Sequence, residues 1–375
     1  MNDTAEPLEE SESKKPPLTI TAALGAKLNL ADFQNAVPIL RELSVINGTS
    51  ENLAELDLRI ESTPAFLKTR HWHIDSVDAG QNCHIPDLDV QLDGSLLSRL
   101  TEAETATVSL VLRQRGEAGD ELARHEQTVD LLPRNQWGGL SHLPDMVAAF
   151  VQPNEPAVEK VLKQTAEVLR KHDKNPALDG YTGGSKRAWE LTSGLWSAVV
   201  AMGLDYALPP ASFEHAGQKV RGPGQIAESG LATCLDLALF FCSAIEQVGL
   251  NPLLVFTKGH AFAGVWLKNE EFSTSVVDDI TALRKRIKLK ELVLFETTVA
   301  THRPVPSFSY AVQLGAQQIA EENEEAFELA VDIRRARLQR IKPLASTEAP
   351  STSQTPEPTP VIEPVFDEAP DLPED

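Results

Sequence analysis

Residues 230–241 read GLATCLDLALFF and bring one cysteine to the point where a loop of small residues becomes an apolar helix. Thr233 can cap this helix, so that Cys234 lies in its first turn. Backbone N–H groups have no intrahelical partner there and the helix dipole is positive, which favours a thiolate and can hold an oxyanion. Cys234 is therefore a candidate nucleophile, and the alternative is a small core residue. Cys242, in the middle of the same apolar run, is predicted to be core.

The predicted helix, about 233–248, is followed by a strand at 252–257 (PLLVFT) and a second strand at 260–267 (HAFAGVWL). His260 begins this second strand. A helix followed by two strands can bring the imidazole to the Cys234 thiol, where it can act as a general base. The alternative is a structural histidine at a strand end.

A third predicted strand, ELVLFETT at 291–298, carries an acid close to its end. An acid that fixes the imidazole tautomer completes a nucleophile–base arrangement, and Glu296 is the favoured candidate. Asp278 and Asp279 are the alternatives. Their segment, SVVDDITALRKR, is typical of the start of a helix, where acids have an ordinary stabilising role.

Three segments, VRGPGQIAESGLATCLDLALFFCSAIEQVGLNPLLVF, GHAFAGVWL and LVLFETT, together resemble the transglutaminase-like superfamily of papain-type thiol enzymes. The resemblance implies that Cys234 is the nucleophile, His260 the general base and Glu296 the orienting acid. That chemistry needs no metal and no other cofactor. Two positions depart from the superfamily, because Glu296 stands where aspartate is usual and Thr297 where proline is usual.

A longer resemblance covers residues 35–345 and includes WHIDSV, LDGYTGG, ATCLDLALFF and VDIRRARLQRIKPL. It is to the N-terminal module of very large bacterial superfamily 1 helicases, some of which carry a Vsr-like nuclease domain and are linked to phage defence. It implies a helicase or nuclease as a downstream or separate partner. The sequence has no GxxxxGK[ST] phosphate loop, so helicase activity is not assigned to these residues.

The alternation of apolar and polar residues predicts an α+β protein in which an N-terminal β-sandwich (18–137) precedes a helical and antiparallel-sheet domain (138–344). The resemblance implies that this second domain has the transglutaminase-like, papain-like fold. Predicted strands include AELDLRIES and IPDLDVQLD, and a hairpin is predicted around residues 116–119. In the second domain, a late helix is predicted over residues 320–341, AEENEEAFELAVDIRRARLQRI.

The two ends of the chain are polar and acidic. Residues 1–17 and the Pro-rich segment 345–375 bury too little apolar area to fold, so both are predicted to be disordered, the second as a tail or linker. The net charge of -21 stays negative after the ends are set aside, which argues against direct nucleic-acid binding. With no signal peptide or membrane-spanning run, we expect a cytoplasmic protein that does not bind membranes.

Together these patterns predict a cysteine hydrolase or acyl-transferase that acts on an amide or isopeptide bond of a protein or peptide. Gln218 and Gln225, upstream of the cysteine, are candidates for a side-chain oxyanion donor. The alternative is a catalytically silent regulatory or protein-binding module associated with a DNA helicase. Its motivation is the altered acid motif, and the thiol distinguishes the two because a catalytic cysteine must be reactive.

Overall fold

The computed structural model describes residues 18–115, 119–345 and 366–373, and it is a mixed α and β structure with several sheets. Its contacts divide the chain into two units. Unit 1 takes the described residues up to Leu28 together with Val37–Leu97 and Ala103–Leu131. Unit 2 takes Asn29–Ala36, Ser98–Glu102 and the described residues from Leu132 onwards. The predicted disorder of residues 1–17, 346–365, 374 and 375 lies outside the described residues.

The elements in the first part of the described chain are mostly strands, and the longer helices begin after Trp137. The α-helices are α1 (Leu30–Gln34), α2 (Gly94–Arg99), α3 (Pro156–Lys171), α4 (Gly184–Val200), α5 (Phe213–Ala216), α6 (Pro223–Ser229), α7 (Cys234–Gln247), α8 (Ile280–Lys288), α9 (Phe308–Gln318) and α10 (Ile333–Leu338). The strands are β1 (Leu18–Leu24), β2 (Lys27–Leu28), β3 (Leu40–Asn47), β4 (Leu53–Thr63), β5 (Arg70–Val77), β6 (Asn82–His84), β7 (Glu104–Gln114), β8 (Glu121–Leu131), β9 (Gln136–Trp137), β10 (Asp205–Tyr206), β11 (Gln218–Lys219), β12 (Leu231–Ala232), β13 (Pro252–Thr257), β14 (His260–Trp266), β15 (Val276–Val277), β16 (Leu292–Phe295) and β17 (Phe327–Asp332).

Unit 1 contains two sheets, in the orders β1-β3-β6 and β2-β8-β7-β4-β5. The predicted alternation in β4 is confirmed, because Leu56, Leu58 and Ile60 are fully buried while the residues between them are not. A one-residue shift of register would turn these side chains to solvent, so the pattern fixes the pairing of β4. β7 and β8 pair antiparallel on either side of the predicted hairpin, whose residues 116–118 lie outside the described ones.

The strand predicted from IPDLDVQLD is wrong, since no strand covers residues 85–90. Pro86 has no backbone N–H to donate to a ladder. Side chains of unit 1 bind this backbone instead. The Trp72 indole donates to the carbonyl of Asp87 at 2.8 Å, and the Arg70 guanidinium donates to the carbonyl of Asp89.

Unit 2 is organised by a five-stranded sheet in the order β15-β17-β13-β14-β16, in which every neighbouring pair is antiparallel. α7 packs on β13 and β14, and α9 packs on β16. An aromatic cluster joins these elements: Phe241 of α7 lies between Trp196 and Phe295, with ring centroids 5.5 and 5.3 Å apart. Phe308 of α9 packs on the same Phe295. Since such pairs each contribute about 0.5–1.5 kcal/mol beyond area burial, the cluster holds α7 against the end of β16.

The prediction of one late helix over residues 320–341 is wrong in its middle, because that part is a β-strand. The segment is a 3₁₀ helix (Glu321–Ala326), then β17, then α10. β17 pairs with β13 on one side and with β15 on the other, and Ala330 and Val331 are fully buried there. Ladder hydrogen bonds and burial in the sheet therefore override the helix propensity of its Glu and Ala residues.

Residues 366–373 form defined contacts with the rest of unit 2, whereas the sequence predicts disorder for the whole of 345–375. The Phe366 ring stacks on His172 with centroids 4.9 Å apart. The Glu368 carboxylate accepts from the Lys174 ammonium at 2.6 Å. An aromatic anchor and a charge pair give this short segment contacts that its composition does not reveal.

In the part of the chain that the structure describes, no helix is long and apolar enough to cross a membrane.

Candidate active site

The first turn of α7 is fixed by a capping box. The Thr233 hydroxyl accepts from the backbone N–H of Asp236 at 3.2 Å, and the Asp236 carboxylate accepts from the N–H of Thr233 at 2.9 Å. Asp236 is fully buried and also receives the Arg221 guanidinium at 3.0 Å. These contacts agree with the cap predicted at Thr233 and make Cys234 the first residue of the helix, beside the positive end of its dipole.

The histidine is presented by a tight turn between β13 and β14. Thr257 pairs with His260, and the turn is completed by Gly259, whose φ of +69° suits a residue without a Cβ. His260 is therefore the first residue of β14. Because α7 packs on β14, this strand end lies close to the start of the helix.

The register between β14 and β16 places Glu296 next to His260. Ala263 pairs with Phe295, so the residue after Phe295 comes opposite Phe262, near the start of β14. The Nε2 of His260 and an Oε2 of Glu296 are 2.7 Å apart. Glu296 is therefore the acid that the structure brings within hydrogen-bond distance of the imidazole.

The second carboxylate oxygen of Glu296 is held as well. It accepts from the backbone N–H of Thr298 at 2.9 Å and from the Thr298 hydroxyl at 2.7 Å. The backbone N–H of Glu296 donates to Ala311 at 2.9 Å, and Gln318 approaches the oxygen that faces the histidine at 3.4 Å. The carboxylate is thus fixed in position on both sides before any substrate is present.

The three predicted residues converge around the imidazole. Nε2 of His260 faces Glu296, which leaves Nδ1 for the sulfur of Cys234. Burial lowers the pKa of His260, but hydrogen bonds to Cys234 and Glu296 and the charges of both groups outweigh it and raise the pKa to about 10. Burial raises the pKa of Glu296, but its hydrogen bond to His260 and the imidazolium charge hold it below the ordinary value. The site favours a charged imidazolium and a charged carboxylate.

The three side chains of the candidate site have little exposure to solvent. Cys234 is 0 % exposed, whereas the His260 side chain is 20 % exposed and that of Glu296 is 5 % exposed. Low exposure strengthens the electrostatic interactions among the three groups. It also means that any molecule from solvent contacts the thiol only after a neighbouring side chain moves.

Tyr206 is a site residue that the sequence analysis missed. It lies on β10, which runs parallel to β12, and its register partner is Ala232, two residues before the cysteine. Burial raises the pKa of Tyr206, and its side chain lies close enough to Cys234 for the thiol to raise that pKa further. The local sequence, DYALPP, carries no periodic or motif signal, so only the pairing of two short strands reveals it.

The two glutamines proposed as oxyanion donors have other surroundings. The Gln218 amide donates to the Thr233 hydroxyl at 3.0 Å and is buried beside the helix cap. Gln225 lines a cavity of about 450 Å³ whose wall includes Arg134, Gln152 and Glu155 but none of the three predicted catalytic residues.

The competing acids are not brought to the histidine. Asp279 caps α8 by accepting from the backbone N–H of Thr281 at 2.8 Å, and both Asp278 and Asp279 are exposed. Cys242 is fully buried in the middle of α7, as predicted for a core residue, and its sulfur approaches the Leu253 carbonyl at 3.6 Å. Burial raises the pKa of the Cys242 thiol, which keeps it protonated.

Across residues 18–115, 119–345 and 366–373, no group of three or more His, Cys, Asp or Glu side chains is arranged to hold a metal ion.

The chain matches no protein-family model and no curated protein sequence.

Proposed function

We propose that unit 2 is a transglutaminase-like cysteine hydrolase or acyl-transferase acting on an amide or isopeptide bond. The observation that carries the proposal is the convergence of Cys234, His260 and Glu296 from a helix start, a strand start and a strand end. The order of elements supports a papain-like arrangement for this unit. The two sheets of unit 1 support a β-sandwich as its architecture.

In the proposed reaction, the Cys234 thiolate attacks the carbonyl carbon and a C–S bond forms while the π electrons move to the oxygen. Backbone N–H groups at the start of α7 stabilise that oxyanion. When the tetrahedral species collapses, the C–N bond breaks and the imidazolium of His260 gives its proton to the departing amine. Glu296 keeps the ring oriented throughout. Water or an amine then attacks the thioester carbon while His260 accepts its proton. The C–S bond breaks as this second tetrahedral species collapses, which releases the acid or the new amide and restores the Cys234 thiolate.

The test is to trap the thioester. The protein is incubated with p-nitrophenyl acetate and the acetylated residue is identified by peptide mass, in the wild type and in Cys234→Ala and Cys242→Ala. We expect acetyl on Cys234 in the wild type and in Cys242→Ala, and none at this position in Cys234→Ala. Acetylation restricted to exposed lysines or to Cys83 would overturn the proposal.

Adding an amine distinguishes the two reaction directions. If methylamine shortens the lifetime of the acetyl group on Cys234 far more in the folded protein than in the urea-unfolded protein, the site supports transfer. If the lifetime is short without any amine, it supports hydrolysis. Either result is consistent with a competent nucleophile.

A second candidate is a catalytically silent protein-binding module, and the full burial of Cys234 favours it. In that case Cys234 stays unacetylated and unalkylated while the fold is intact, because a vestigial thiol need not be reactive. For either candidate we propose a superfamily 1 helicase, with or without a nuclease domain, as the partner. The support for that partner is the sequence resemblance over residues 35–345.

A further inference from the structure

Tyr206 occupies the wall of the site beside the nucleophile. The backbone N–H of Asp205 donates to the Gly230 carbonyl at 2.8 Å, and that of Ala207 donates to the Ala232 carbonyl at 2.9 Å. These bonds on both sides of Tyr206 tie β10 to the segment that leads into α7. β10 also contacts the 3₁₀ helix (Thr298–Thr301) that follows Glu296. Tyr206 is therefore anchored to the two segments that flank the thiol and the acid.

The side chain of Tyr206 lies between the thiol and the surface. Tyr206 is 38 % exposed, whereas Cys234, the thiol that interacts with its hydroxyl, is 0 % exposed. A substrate carbonyl that reaches the sulfur therefore arrives beside this hydroxyl. Gln218 donates to Thr233 and Gln225 lines the separate cavity, so neither amide competes for the position.

We infer that the Tyr206 hydroxyl is a catalytic hydrogen-bond donor to the oxyanion formed during acylation of Cys234, an inference that rests on the proposed function. In the resting state the hydroxyl donates to the sulfur. As the C–S bond forms, negative charge leaves the sulfur and develops on the carbonyl oxygen, and the donor turns to that oxygen. The tyrosine proton is shared and not transferred, so the proton delivered to the leaving group still comes from His260.

The environment keeps the hydroxyl in its donor form. Burial raises the pKa of Tyr206, and the charges of Cys234 and Glu296 and the hydrogen bond to Cys234 raise it further. A tyrosine held protonated next to a buried, developing charge is what electrostatic stabilisation of a transition state requires. Together with the N–H groups at the start of α7, it supplies a second type of donor.

The test compares two reagents at the same sulfur. Iodoacetamide alkylates a thiolate by direct displacement at carbon and forms no oxyanion, whereas p-nitrophenyl acetate acylates it through a tetrahedral oxyanion. Both rate constants at Cys234 are measured by peptide mass in the wild type, in Tyr206→Phe and in Tyr310→Phe. Tyr310 is a matched control because it is another partly exposed tyrosine of unit 2, on α9.

We expect Tyr206→Phe to lower the acylation rate roughly 10- to 100-fold more than the alkylation rate, because only acylation loses an oxyanion donor. Tyr310→Phe should leave the ratio of the two rates unchanged. Equal losses in both reactions would show that the hydroxyl only stabilises the thiolate, and no loss would show that it only covers the sulfur. Either outcome overturns the inference.

Tyr206→Ala provides an independent check, since it removes both the hydroxyl and the cover. The inference predicts faster alkylation through better access, while acylation gains less or declines. A parallel rise of both rates overturns it. If wild-type Cys234 reacts with neither reagent, or if His260→Ala changes neither rate, the proposed function itself fails. A reactive, His260-dependent Cys234 with an unchanged ratio in Tyr206→Phe removes only the role of the tyrosine.

Discussion

Each unit of this protein contains a histidine–carboxylate contact of nearly the same length, in very different surroundings. In unit 1, Asp57 lies opposite His73 in the β4–β5 ladder, and its carboxylate is 2.8 Å from Nδ1 of His71 and 3.0 Å from Nδ1 of His73. In unit 2, Glu296 is 2.7 Å from Nε2 of His260. The side chains of His71 and His73 are 48 % and 62 % exposed, whereas that of His260 is 20 % exposed.

The comparison shows that the contact alone does not make a candidate site. Exposed pairs are screened by water and contribute little, typically about 0–1 kcal/mol. His260 and Glu296 are shielded from solvent, and the other side of the imidazole faces a sulfur at a helix start. Burial, a fixed carboxylate and a nucleophile within reach distinguish the second arrangement.

The largest expected effect comes from removing His260, the central residue of the unit 2 arrangement. We expect His260→Ala to slow acetylation of Cys234 by p-nitrophenyl acetate by about 10³-fold at pH 7, because the thiolate loses its ion-pair partner and its proton carrier. His71→Ala, which removes a comparable contact in unit 1, should leave the rate unchanged. A similar loss in the two variants would show that the contrast between the units has no bearing on the thiol.

A smaller effect is expected from the acid. Glu296→Gln keeps the shape of the side chain and removes its charge. The His260 imidazolium then loses an electrostatic partner, while the Cys234 sulfur keeps His260 beside it. We expect acetylation of Cys234 to slow by about 10- to 100-fold. The matched variant is Asp57→Asn. If it changes the rate as much as Glu296→Gln does, orientation of His260 by Glu296 is not the cause.

The smallest expected effect is on the pH dependence of the free energy of unfolding. The pKa of His260 in the folded protein, about 10, lies above the ordinary value of about 6.5. A histidine with a raised pKa stabilises the fold while it is protonated. That contribution is complete below pH 6.5 and is lost as the pH rises through 10. The free energy of unfolding of the wild type should therefore fall between pH 7 and pH 10 by about 1 kcal/mol or more in excess of the fall in Glu296→Gln, because the variant keeps the part of the pKa shift that comes from Cys234.

Urea unfolding at several pH values measures this difference, with Asp57→Asn as the control. Identical pH dependence in the wild type and in Glu296→Gln would contradict a charged His260–Glu296 pair.

Much of the geometry around the thiol could be predicted from local sequence. Thr233 and Asp236 give a recognisable helix start, and the structure begins α7 at Cys234. The positions of His260 and Glu296 follow from the predicted order of two strands, because consecutive antiparallel strands bring the start of one to the end of the next. These signals lie within a few residues of the positions that they specify.

The features that the sequence did not reveal depend on partners that are distant along the chain. β17 is a strand because β13 and β15 flank it, although its residues favour a helix. Tyr206 lies beside Cys234 because two short segments, 205–206 and 231–232, pair in parallel. Residues 366–373 contact unit 2 through Phe366 and Glu368, in a segment whose composition predicts disorder.

The most direct test of the central claim is the pH dependence of Cys234 alkylation by iodoacetamide in the wild type and in His260→Ala, with Cys242 and Cys83 as references in the same sample. The account predicts that Cys234 alone reacts rapidly below pH 7 and loses that advantage without His260, because a thiolate–imidazolium pair exists only when both groups are present. If Cys234 instead follows the profile of an ordinary thiol, which titrates near pH 8.5, or is indifferent to His260, the claim is contradicted.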